Sequence, residues 1–262
     1  MTYRLLAVDL DGTLLNSQGK VGARDAEALL SLAARGVIIA PATARWYQAA
    51  RRPFDQLEID VAAIASAGAD VRLANGNVVS QRPFSPALAT FLAGLCDREG
   101  WTATLSVPGR AYARADHLPP WAANAPEWLQ PVTHLRDADL ANLLAVLVET
   151  HGNNASLAAL DAQRGELEMT TALSFSGAVL HTLTAKGIDK GFGLRELCRA
   201  AGIDPSEAVA IGDSEVDLPM FGVAGCAVAV GNGTHAARSA ATFVVAPVED
   251  GGVAEAIERL WG

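Results

Sequence analysis

Along the first third of the chain, continuous apolar runs alternate with segments whose apolar residues recur at helical spacing. "RLLAVD" at 4–9 predicts a buried strand, and so do "VIIAPA" at 37–42 and "VAAIA" at 61–65. Between them, residues 23–35 predict a helix stopped by Gly36, and residues 45–56 a second helix. Strand, helix, strand, helix, strand implies parallel pairing through crossover helices. The texture returns near the end. A helix is expected over 190–201, a strand at 208–212, further strands at 226–230 and 242–245, and a closing helix over 252–261.

The middle of the chain is different. "WTATLSV" and "RAYARA" predict a hairpin, followed by the Pro- and Trp-rich loop "LPPWAANAPEWLQPV". An amphipathic helix is expected over 137–150, then strands near 155–160, 167–175 and 178–184. The predicted fold is therefore α/β: a Rossmann-like parallel sheet core from residues 1–81 and 184–262, with an α+β unit inserted at 82–183. No internal repeat or low-complexity tract is visible.

Composition narrows the classes of function. Half of the 262 residues are hydrophobic, enough for a substantial core. No apolar stretch reaches the ~18 to 20 residues that span a bilayer, and the N-terminal apolar run is too short for a secretory signal. Cys96, Cys198 and Cys226 are widely spaced, so neither a disulfide framework nor a thiolate metal site is implied. Buried thiols in a reducing cytoplasm are expected. A net charge of −9 argues against nucleic acid or an anionic membrane as partner. It is compatible with an anionic substrate where a local cation reverses the sign.

Open parallel sheets bind ligands at the carboxyl ends of their strands. Asp9 and Asp11 follow the first strand, Thr43 and Arg45 the second, and Asp213 and Asp217 the strand at 208–212. Lys190 opens a helix on the return from the insertion. A surface turn with an Asp cap explains Asp11-Gly12 but leaves Asp9 unexplained.

"DLDGT" at 9–13, "ATAR" at 42–45, "GIDKG" at 187–191 and "GDSEVD" at 212–217 resemble the four ordered motifs of the haloacid dehalogenase superfamily. The size and place of the insertion, with "NGNVV" at 75–79, "AVAVGN" at 227–232 and "EDGGVAEAI" at 249–257, are similar to its Cof-like phosphatases with a C2-type cap. The resemblance implies a Mg²⁺-dependent phosphatase acting on small phosphorylated metabolites, sugar phosphates or phosphorylated cofactors, through an aspartyl-phosphate. It implies Asp9 as nucleophile and Asp11 as general acid and base. Asp9, the Asp11 carbonyl and Asp213 would bind the metal, with Asp217 behind them orienting bound waters or Lys190. Lys190, Thr43 and the N–H groups of Leu10, Asp11 and Ala44 would bind the phosphoryl oxygens. The chain would act in the cytoplasm as a monomer or homodimer. A phosphomutase of the same fold and a catalytically silent phosphate-binding regulator are the alternatives.

Three positions depart from that pattern: Val216 and Ala67 stand where asparagine is common, and Ala44 where glycine is. In the inserted unit, Trp121 and Trp128, with Arg110 and Arg114, are candidates for a lid over a ligand.

Overall fold

The computed structural model describes residues 3–118, 127–152, 157–173 and 177–262. The chain opens with β1 (Leu5–Val8), α1 (Ala23–Ala34), β2 (Ile38–Pro41) and α2 (Tyr47–Asp55). A small meander follows: β3 (Ala63–Ala65), β4 (Asp70–Arg72) and β5 (Val78–Gln81). The insertion holds α3 (Pro86–Glu99), β6 (Thr102–Val107), β7 (Arg110–Arg114), β8 (Leu129–Val132), β9 (Ala145–Glu149), α4 (Ala158–Asp161), β10 (Leu167–Leu173) and β11 (Val179–Ala185). The chain then returns through α5 (Lys190–Ala201), β12 (Ala208–Gly212), α6 (Leu218–Phe221), β13 (Cys226–Val230), α7 (His235–Ala240), β14 (Phe243–Val245) and α8 (Gly252–Trp261).

The core sheet has the order β14-β13-β12-β1-β2, and every pair is parallel. Its strands are apolar throughout because both faces are covered. Leu6, Val8, Ile39, Val209, Ile211, Val228 and Val230 point to the side of α1 and α8. The alternating residues, Leu5, Ala7, Ala40, Ala208, Ala210, Ala227 and Ala229, are mostly alanine and admit α5 and α6 closely on the other side. The strand order reverses at β1, with β2 added on one side and β12, β13 and β14 on the other, and a crevice opens at the carboxyl ends of β1 and β12.

The third predicted strand does run beside β2, through an Ala42–Ile64 bridge and an Ala62 N–H to Ile39 carbonyl bond of 3.0 Å. It then turns back into the antiparallel meander β3-β4-β5 instead of extending the parallel sheet.

The inserted cap is a six-stranded sheet in the order β10-β11-β9-β6-β7-β8, antiparallel except for β7 with β8. Two sequence expectations fail here. In place of a helix over 137–150, Leu135–Asp137 is one 3₁₀ turn and Ala145–Glu149 is strand β9. β9 lies between β6 and β11 with Ala145, Val146 and Val148 buried and Leu147 partly so, and its continuous apolar run is one that a buried helix would share. Of the strand expected near 155–160, residues 155 and 156 lie outside the described residues, and Ala158–Asp161 is instead a helical turn that buries Leu160. The hairpin is present, with Val107 paired to Arg110.

Candidate active site

Asp9 is the first residue after β1, fixed there by its N–H bond to the Ile211 carbonyl at 2.9 Å. It is 6 % exposed. Lys190 is the first residue of α5, whose N-cap, Asp189, accepts from the Phe192 N–H at 2.7 Å. That start aims the lysine back at the sheet: Lys190 Nζ lies 2.7 Å from Asp9 Oδ1 and 2.7 Å from Asp217 Oδ1. Asp217 is fully buried, and its second oxygen accepts from the N–H groups of Asp213 at 3.0 Å and Ser214 at 3.1 Å. Both Asp217 oxygens are thereby occupied. Asp213 accepts from Thr13 Oγ1 at 3.1 Å.

Asp9, Asp213 and Asp217 each offer a carboxylate oxygen within 4.8 Å of the others. When all three are ionised, three acids face one ammonium in a largely buried pocket, an excess of two negative charges. Burial drives the Asp9 carboxyl well above the usual range; Lys190 opposes this, while Asp217 and Asp213 add to it. Burial and Asp217 push Asp213 up to about 6. Burial alone would pull the Lys190 ammonium down, but Asp217 and Asp9 outweigh it and hold its pKa above the ordinary lysine value. The donor set is hard oxygen and the charge deficit is that of one divalent cation, so these residues fit such an ion. With Asp217 committed to Lys190 and two amides, Asp9 and Asp213 are the side chains placed to ligate.

Close packing holds the loops at these spacings. Gly12 has a φ of +89°, and a Cβ there would sit 2.9 Å from Asp213 Oδ2. A Cβ on Gly212 would lie 2.4 Å from Asp217 Cγ. Asn232, at the end of β13, ties the loop down: its Nδ2 donates to the Gly12 carbonyl at 2.7 Å and its Oδ1 accepts from Val248 N–H at 2.8 Å.

Across the crevice on the same rim, after β2, Thr43 is buried, with its Oγ1 accepting from the Arg45 N–H at 3.2 Å. Among the described residues, no hydrogen bond within the protein uses the N–H of Leu10, Asp11 or Ala44. Free amides at a strand end form an anion-binding concavity. Ala44 keeps an ordinary negative φ. The Thr43 and Arg45 carbonyls accept from the N–H groups of Ala67 at 2.9 Å and Ser66 at 2.8 Å. Ser66, Ala67 and Gly68 form a left-handed turn, with φ of +49°, +54° and +99°. Gly68 packs so close to the Asp189 carbonyl that a Cβ would lie 2.1 Å from its oxygen. This turn braces the Thr43 loop against the start of α5.

Asp11 stands apart from the buried cluster. Its side chain is 48 % exposed, and the Arg45 guanidinium holds both its oxygens, at 2.8 Å and 2.5 Å. Val216 sits partly buried in the turn before Asp217.

The sequence names Asp9, Thr43, Lys190, Asp213 and Asp217, and the fold brings them to one rim. It does not reveal Thr13, Ser214 and Asn232 as supports. Thr13 and Asn232 follow strand ends on the same edge as the acids, and that position was the available clue. The proposed lid is not formed by the described residues. Arg110 and Arg114 share with Tyr112 the face of the cap sheet turned to α3, and Arg114 is paired with Asp116. Trp128 packs edge-on against Trp46 of the core, with ring centroids 5.1 Å apart. Trp121 lies outside the described residues.

Comparison with known proteins matches the chain almost end to end. The sequence model of the haloacid dehalogenase-like hydrolases matches residues 6–257. The Bacillus subtilis 5-amino-6-(5-phospho-D-ribitylamino)uracil phosphatase YcsE is 26% identical over 264 residues, 98% of this chain and 95% of that protein. A phosphoglycolate phosphatase of Halorubrum lacusprofundi is 32% identical over 244 residues, 92% of this chain and 90% of the relative. A solved haloacid dehalogenase-like hydrolase from B. subtilis superposes with a TM-score of 0.85 at 22% identity, over 98% and 99% of the two chains.

Proposed function

The chain belongs to the haloacid dehalogenase-like hydrolases, in their Cof-like phosphatase branch, and from that premise we propose that it is a Mg²⁺-dependent phosphatase of small phosphorylated metabolites working through an aspartyl-phosphate. Sugar phosphates or phosphorylated cofactors are the substrate class. The observation that carries the reading is the buried contact of Lys190 with both Asp9 and Asp217, beside Asp213, at the carboxyl edge of the sheet.

Asp9 attacks phosphorus while the ester oxygen leaves. Lys190 favours the ionised form of Asp9 against the effect of burial and offers a fixed positive charge to the phosphoryl oxygens. Thr43 and the free N–H groups of Leu10, Asp11 and Ala44 receive the same oxygens. Asp11 protonates the departing alcohol, then as carboxylate takes a proton from the water that attacks the phosphorus of the acyl-phosphate. Phosphate is released and Asp9 restored. Both Asp11 oxygens are held by Arg45 here, so the acid step requires that pair to open. Asp9, the Asp11 carbonyl and Asp213 would hold Mg²⁺, which when bound offsets the repulsion between the carboxylates and the substrate dianion. Asp217 orients Lys190 and the 213–214 backbone.

Residues 82–183 act in this reading as a substrate-selecting cap on a core of 1–81 and 184–262. A cytoplasmic setting suits Cys96, Cys198 and Cys226, all buried free thiols, the first pushed up to about 12 by burial. Among the described residues no helix is long and apolar enough to cross a membrane.

The test is turnover of p-nitrophenyl phosphate with Mg²⁺ by the native chain and by Asp9→Asn. The native chain is expected to release phosphate and the variant to release none. Equal rates would reject Asp9 as nucleophile, and no turnover by the native chain across a broad ester panel would reject the enzyme.

A further inference from the structure

Away from the catalytic rim, one side of α2 faces a cleft. Tyr47, Arg51 and Asp55 recur at a spacing of four, with Gln48 and Arg52 beside them, while Ala49, Ala50 and Phe54 are buried on the other side. These five residues and Trp128, just before β8 of the cap, line a cleft of about 510 Å³. Small-molecule sites run from ~300 to ~1,000 Å³. From Tyr47 to Asp55 the helix rises ~12 Å, starting beyond Thr43 and Arg45. None of Asp9, Asp11, Lys190, Asp213 and Asp217 lines the cleft.

Its walls come from both units of the chain. On the core side, Arg72 lies over the Tyr47 ring, 4.3 Å from its centroid, and is itself held by Asp70 at 2.9 Å. The Tyr47 hydroxyl accepts from Arg51 at 3.1 Å. On the cap side, Trp128 is fixed by its edge-on contact with Trp46. The turn between β6 and β7 also comes close: a Cβ on Gly109 would lie 3.9 Å from Gln48 Nε2.

Two features of this lining are unused within the protein. The Gln48 side-chain amide has no hydrogen-bond partner among the described residues, and its Oε1 is buried. Buried polar atoms are nearly always paired, and an orphaned one costs about 1–3 kcal/mol. Rotation about the last side-chain bond turns either end of the amide to the cleft. Arg52 is exposed and has no ion pair among the described residues, whereas Arg51 is held by Asp55 at 3.0 Å. Two guanidiniums against one carboxylate make the lining locally positive on a chain of net charge −9.

We propose that this cleft is a second binding site, separate from the catalytic rim, and that it takes a nucleoside phosphate. Arg51 and Arg52 receive the phosphate groups, as planar guanidiniums do. Trp128 offers an aromatic surface to the base. The Gln48 amide meets the polar edge of the base as donor or acceptor. A ligand there touches α2 of the core and Trp128 of the cap together, so its binding holds the cap on the core. No step of the proposed hydrolysis passes through this site.

The experiment is calorimetric titration of the full chain, in EDTA, with adenosine diphosphate, adenosine and inorganic pyrophosphate. The diphosphate is expected to bind at least about tenfold more tightly than either fragment, since only it uses both halves of the site. Arg51→Gln/Arg52→Gln keeps good helix formers, and melting curves confirm folding. That pair should weaken the diphosphate about 10- to 100-fold, as charge-assisted hydrogen bonds go. Asp55→Asn removes the one acid of the lining and should tighten binding. Asp9→Asn, at the distant rim, should leave the affinity within about twofold. Absence of binding, a fragment bound as tightly as the diphosphate, or an arginine pair variant equal to the native chain would overturn the proposal. So would an affinity that changes with Asp9→Asn and not with the arginine pair, which would place the nucleotide in the catalytic crevice. The phosphatase reading falls on a different result, the absence of ester turnover.

Discussion

At the scale of single residues, Lys190 carries the charge balance of the site. It is 3 % exposed and touches two acids at 2.7 Å. Removing one member of a buried ion pair strands the others, at a cost of about 3–5 kcal/mol. Lys190→Met is therefore expected to lower unfolding stability by about that amount in metal-free protein and to reduce kcat by at least about 100-fold. Denaturant titration and steady-state kinetics check the two. A loss of activity without a loss of stability would mean that the lysine is not the internal counter-charge described here. Ala67 gives the opposite sign. It holds a φ of +54° without the freedom of glycine. A left-handed alanine costs roughly 1–2 kcal/mol, and glycine returns part of that as unfolded-state entropy. Ala67→Gly should gain up to about 1 kcal/mol in thermal or denaturant unfolding, because no hydrogen bond uses its side chain.

At the scale of elements, the seam between α2 and the cap is a stack of Trp46 on Trp128 over Ala111, Ala113 and Leu129. Trp46→Ala empties a buried ring site, which costs about 3–5 kcal/mol. It should also raise KM more than it lowers kcat, since the cap loses its anchor on the core while Asp9 and Lys190 keep theirs. Equal changes in the two constants would place the seam in the chemistry. The elements that carry the acids were legible because each is a run of one kind: β1 and β12 are wholly apolar, and the acids begin where the apolar residues stop. β9 was not legible, since "LLAVLVE" fits a helix as well as a central strand until β6 and β11 are known to flank it. The Asp11–Arg45 pair and the Asn232 tie were hidden for another reason. They join residues 34 and 220 apart, and no local pattern carries such distances.

At the scale of the whole molecule, metal, proton and fold are coupled. Asp213 titrates at about 6 in the metal-free protein, above its ordinary value near 3.8. The folded state thus binds this proton more tightly than the unfolded chain. The associated stability is fully present below the unfolded value and lost as pH rises through about 6. A divalent ion competes with that proton for the same carboxylates. Stabilisation by Mg²⁺, read as the difference in melting temperature between Mg²⁺ and chelator, should be small at about pH 5 and clearly larger at about pH 7.5. A shift independent of pH would remove Asp213 from the set that binds the ion.

The convergence of Asp9, Lys190 and Asp213 matters only if Asp9 takes the phosphoryl group. Protein caught by rapid acid quench during turnover, then reduced with borohydride, converts an aspartyl-phosphate to homoserine. Mass spectrometry of the tryptic peptide 5–20 distinguishes position 9 from position 11. Homoserine at position 9 alone is the expected result. Homoserine at position 11, or an unmodified peptide from protein that is releasing phosphate, would contradict the account.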